Sequence, residues 1–107
     1  MDKFNPYILL VIRWLQNPDL VSEEELKDNY DDAYDAYDAY AAAAEAAADA
    51  AASACNAAYF ADATANVEYW LNKTKEYLNR YFKLTNENRE TYKNRAKYLN
   101  ILGVKNE

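Results

Sequence analysis

Residues 30–65 read YDDAYDAYDAYAAAAEAAADAAASACNAAYFADATA, and 19 of these 36 positions are alanine. No glycine or proline interrupts them. Alanine has the best intrinsic helix propensity, and its side chain loses no rotamer entropy on folding. The stretch therefore predicts helix, and the absence of breakers predicts a long one. Burying one methyl contributes only about 0.8 kcal/mol. An alanine face is stable only where another helix comes very close. That requirement points to self-association or partner binding, and away from a cleft with chemistry.

On the N-terminal side, Val21-Ser22-Glu23-Glu24-Glu25-Leu26 marks a helix start. Ser22 and Glu25 stand at capping-box spacing, and Val21 and Leu26 at the two positions of a hydrophobic staple. The three glutamates suit the positive end of the helix dipole. Asn5-Pro6 opens an earlier helix over 6–16, which is apolar nearly all round and so reads as buried. Asn17-Pro18 closes it.

On the C-terminal side, no glycine occurs before Gly103. Asn56 and the run Asp62–Asn66 can compete for backbone bonds, but neither compels a break. The expectation is one helix over 22–82, with 61–66 as the place for any bend or break. Unbroken, it would be about 90 Å long. Leu84-Thr85-Asn86 reads as a turn with Thr85 or Asn86 as the next cap. A last helix then occupies 86–101, with Gly103 as its C-terminal cap. The fold class is all-α, in a single domain of 107 residues.

Charge divides along the chain. Residues 22–68 hold twelve carboxylates against Lys27 alone, a net −11, and residues 69–107 hold nine cations against four carboxylates, a net +5. The whole chain is −6. An acidic middle and a basic end can pair within one copy or between copies. Arg13 interrupts the apolar segment Tyr7–Leu15, which is too short to span a bilayer, and Glu45 and Asp49 would be costly in lipid. One cysteine allows no intrachain disulfide and suits a reducing compartment. The expectation is a cytoplasmic protein with no membrane attachment.

Tyr30, Tyr34 and Tyr37 follow a 4–3 spacing that continues through Ala41, Ala44, Ala48, Ala51, Cys55 and Ala58. This seven-residue period suits a left-handed coiled coil, and it nominates these nine residues as an oligomer seam. Past Asp62 the apolar set shifts to Val67, Trp70, Leu71, Thr74, Leu78, Tyr81 and Phe82. Pairing Asp31 with Arg80 and Asp38 with Lys73 would set two such helices antiparallel, crossing near Cys55. A hairpin turning near Asp62–Asn66 is the alternative.

The chain has no histidine, the commonest general base and metal ligand. Cys55 has no adjacent cation and reads as a small core residue. Asp31/Asp35 and Glu45/Asp49 are i, i+4 carboxylate pairs without the Glu-x-x-His element of di-metal bundles. A single glycine excludes phosphate-binding loops. No enzyme activity, metal or cofactor is expected. The basic, aromatic residues 68–102 read as core more than as a nucleic-acid surface, given the interleaved acids. Asp28, Asp31, Asp32, Asp35, Asp38, Glu45 and Asp49 form a candidate acidic partner surface that could imitate a phosphate backbone.

Asn5-Pro6-Tyr7-Ile8-Leu9-Leu10 with Arg13-Trp14-Leu15, and Trp70-Leu71-Asn72 followed by Tyr81–Arg89, resemble the two ends of certain small tailed-phage proteins. Those proteins also carry an alanine- and tyrosine-rich middle of variable length. The resemblance implies a phage accessory product of unassigned function and transfers no catalytic or binding residue. The expectation is a non-catalytic interaction protein that homo-oligomerises, as an antiparallel dimer or higher, with a host protein as a further candidate partner. The alternative is an acidic DNA-mimic inhibitor of a host nucleic-acid-binding or defence protein.

Overall fold

The computed structural model describes residues 3–37, 41–60 and 64–103, and these are helical with no strand among them. Helix α1 spans Pro6–Gln16, α2 Glu23–Asp35, α3 Ala42–Tyr59, α4 Thr64–Thr85 and α5 Arg89–Leu102. A 3-10 turn at Pro18–Leu20 links α1 to α2.

Local chemistry sets most of the ends. The Asn5 side chain accepts from the N–H of Tyr7 at 2.9 Å and of Ile8 at 3.2 Å, with Pro6 in the first turn. At α2 the Glu25 N–H donates to Ser22 Oγ at 3.0 Å and the Ser22 N–H to Glu25 Oε1 at 3.3 Å. Val21 and Leu26 are both buried beside this box. Helix α5 is capped by Asn88, whose side chain accepts from the Thr91 N–H, rather than by Thr85 or Asn86. Asn86 instead ends α4 with φ +58, a left-handed conformation that asparagine tolerates. Gly103 follows α5 at φ +71.

Three helices take the place of a continuous rod over 22–82: the boundary between α3 and α4 falls where a break was expected, near 61–66, and the boundary between α2 and α3 is a correction. Helix α2 ends at Asp35, and the Ala36 and Tyr37 N–H groups turn back onto Asp32 and Tyr34 carbonyls. Helix α3 begins at Ala42 without a side-chain cap. Within α2, Asp28, Asp31, Asp32 and Asp35 repel one another at i, i+3 and i, i+4 spacing. A break there gives up little helix energy. It recovers the burial that an isolated rod forfeits.

Helices α3 and α4 hold 18 and 22 residues, about 60 Å if laid end to end. The longest dimension of the molecule is 38 Å. So α4 folds back along α3, its most extensive packing partner. Residues 61–63 of the proposed turn lie outside the described residues. The radius of gyration is 12.9 Å, against about 13 Å for a compact domain of this length.

Helix α3 is the inner element. It packs on α4, α2 and α1, and Ala46, Ala47, Ala48, Ala50, Ala51, Ser53, Ala54 and Ala57 are all buried. The close mate an alanine face requires is thus supplied by the same chain. The register pairing Asp31 with Arg80 fails for the same reason, because those residues sit on different helices. Asp31 pairs locally with Lys27 at 3.1 Å, and Lys73 with Glu76 at 3.5 Å. Asp38 lies outside the described residues.

Helix α1 is buried continuously from Ile8 to Trp14. Arg13, 2 % exposed, donates from Nε to Asn100 Oδ1 at 2.9 Å. Asn100 donates back to the Arg13 carbonyl at 3.2 Å, and Gln16 donates to the Lys93 carbonyl at 3.0 Å. These bonds join α1 to α5. The Asn29 side chain donates to the Tyr7 carbonyl at 3.2 Å and joins α2 to α1.

Candidate functional site

The seam residues separate into three environments. Ala48 and Ala51 are buried inside the chain. Tyr30, Ala41, Ala44, Cys55 and Ala58 are half-buried. Tyr34 and Tyr37 are exposed, at 63 % and 39 %. The alanine part of the seam is therefore largely spent on the protein's own core, while its tyrosine end faces outward. Tyr40, the next tyrosine in the chain, lies outside the described residues.

The acidic set divides as well. Asp28, Asp31, Asp32 and Asp35 are exposed along α2, next to Glu23 and Glu24. Glu45 and Asp49 are half-buried on α3, so they do not extend that face. Burial pushes the Asp49 carboxyl up, Glu45 adds to the effect and Arg80 opposes it.

The outward side of α2 and its end thus bring together carboxylates and phenols. The rings of Tyr34 and Tyr37 lie 6.3 Å apart and 12° from parallel, and Tyr30 meets Tyr34 edge-on at 6.2 Å. Tyrosine offers a large rigid contact area with a polar tip, which suits an interface more than a solvated surface. Lys27 is the one cation on α2.

Among the described residues, recesses open between several of the helices. One of about 300 Å³ lies between α1 and α2, lined by Tyr7, Leu10, Arg13, Glu25, Asp28 and Asp32 among others. A second, of about 600 Å³, lies between α2 and α3, where Tyr30, Cys55 and Tyr59 meet Glu23, Glu24, Lys27 and Asp31. Burial pushes the Cys55 thiol up, Glu23 adds to this and Lys27 opposes it. A thiol held protonated is a weak nucleophile. The third, of about 320 Å³, is formed by Ile12, Leu15 and Gln16 of α1, Lys75, Leu78 and Phe82 of α4, and Arg89 and Lys93 of α5.

Sequence reasoning did not assemble this third groove. Its parts come from three helices, and only the density of cations and aromatics beyond residue 68 signalled that such a surface was available.

Comparison with known proteins adds no further assignment. No family model, curated protein or solved structure matches the chain. Among the described residues no group of three or more His, Cys, Asp or Glu could hold a metal ion, and no helix is long and apolar enough to cross a membrane.

Proposed function

We propose that this chain is a non-catalytic interaction protein that works through the acidic, tyrosine-bearing outer face of α2, and that it associates with further copies of itself. The observation that carries this reading is the exposed pairing of Tyr34 with Tyr37 beside four unburied carboxylates. Apolar rings left in water next to a dense charge row have little to contribute to the fold. They gain by covering. The resemblance of the two chain ends to small tailed-phage proteins supports an accessory or host-modulating role.

A second reading rests on the same face. Asp28, Asp31, Asp32 and Asp35 advance about 5 Å per turn and could present a phosphate-like row to a basic host protein. The experiment is sedimentation velocity from micromolar to millimolar protein at low and high salt, with wild type and Asp32→Asn/Asp35→Asn. Self-association that weakens with salt and with the double substitution supports the first reading. A monomer that displaces duplex DNA from a basic DNA-binding protein would favour mimicry. A monomer that does neither removes both.

A further inference from the structure

The molecule carries a second surface of opposite character to α2. The groove between α1, α4 and α5 has an apolar floor of Leu15, Leu78 and Phe82 and a rim of Lys75, Arg89 and Lys93. No carboxylate lines it. Lys75 makes no ion pair among the described residues, and Lys93 reaches only Glu90, at 3.6 Å on the solvent side. Arg89 is held over the Phe82 ring at 4.9 Å and donates to Asn79 at 2.6 Å, so the rim is partly preset.

We propose that this groove receives the α2 face of a second copy of the same chain. The proposal rests on the reading of α2 as an interaction face and names what that face binds. Two features select the occupant. The rim presents three cations where α2 presents Asp32 and Asp35, and opposite charge fixes register and orientation. The floor is apolar where the end of α2 presents Tyr34 and Tyr37, the combination of anchor and charged flank that a helix-in-groove contact requires. The two surfaces differ, so the contact is head-to-tail and leaves a free face at one end of an assembly and a free groove at the other.

The test uses two charge-reversed forms of the full chain. Lys75→Glu/Lys93→Glu loses the groove and keeps the face. Asp32→Lys/Asp35→Lys loses the face and keeps the groove. All four positions are exposed, and circular dichroism checks that each form folds. Wild type is expected to form salt-sensitive oligomers, each variant alone to be monomeric, and an equimolar mixture to recover oligomers, because the kept face meets the kept groove and the reversed face meets the reversed rim, both with opposite charge. Variants in which only the face substitutions abolish association would keep α2 as the interaction face and overturn the groove as its receptor. Oligomers indifferent to both sets, or a wild type monomeric at millimolar concentration in low salt, would also overturn the proposal.

Discussion

The backbone N–H of Asn5 donates to the hydroxyl of Tyr92 at 2.7 Å, across 87 positions of sequence. The same hydroxyl donates to Glu87 Oε1 at 2.5 Å, and Tyr81 donates to that oxygen at 2.9 Å. The rings of Phe4 and Tyr92 meet in a T-shape, their centroids 5.0 Å apart. Through Tyr92 the cap of the first helix is tied to the turn between the last two.

Tyr92→Phe is therefore expected to destabilise by about 1–3 kcal/mol, because it removes an acceptor and leaves the Asn5 N–H to find another. Tyr81→Phe should cost less, since Glu87 is exposed and keeps its other partner. Urea denaturation compares them. Burial first, and then hydrogen bonding, holds both hydroxyls protonated above the usual tyrosine range. A folded-state pKa raised above the unfolded value means stability present below about pH 10 and lost as pH rises beyond it. Tyr92→Phe should flatten that alkaline loss, which melting curves from pH 9 to 12 would reveal.

Ala50 and Ala54 are 0 % exposed on the inner helix. Close approach of α3 to its neighbours leaves no room for a larger side chain. Ala50→Leu or Ala54→Leu should cost at least about 1–3 kcal/mol by overpacking. Ala42→Leu, at an exposed position, should stay within about 0.5 kcal/mol of wild type. Thermal melts distinguish these outcomes, and small-angle scattering would show whether the overpacked forms expand.

Burial first, and then Glu45, pushes the Asp49 carboxyl above its ordinary range, against the opposing pull of Arg80. Its folded-state pKa is raised, so its contribution to stability is largest at low pH and falls as pH climbs through the folded value. Asp49→Asn removes the charge and should raise the melting temperature at pH 7. Partial exposure limits the gain to about 1–2 °C. The gain should vanish near pH 3.

Cys55 lines the recess between α2 and α3. Its thiol is pushed up by burial. Alkylation at pH 8 should run more slowly in the folded chain than in urea, and mild oxidation should give no disulfide-linked dimer. A fast disulfide dimer would restore the crossing at Cys55.

The elements legible in the sequence are those decided by a few neighbouring residues. Asn5-Pro6, Ser22 with Glu25, and the αL position of Gly103 act within one helical turn, so their meaning does not depend on the rest of the chain. The break between Asp35 and Ala42 was not legible. Alanine, aspartate and tyrosine there tolerate helix, and nothing local forbids it. Ending α2 at Asp35 lets α3 be covered on several sides. The groove of Leu15, Phe82 and Lys93 was hidden for a related reason, since its walls are far apart in sequence.

Composition and capping alone determined that this chain is helical, where its first two helices begin, and that its middle demands a close neighbour. Which neighbour answers that demand was settled only in three dimensions. A methyl group recovers so little on burial that the alanine helix must be surrounded, and the shortest way to surround it is with the ends of the same chain. The charge and the tyrosines that packing had no use for were left at the surface.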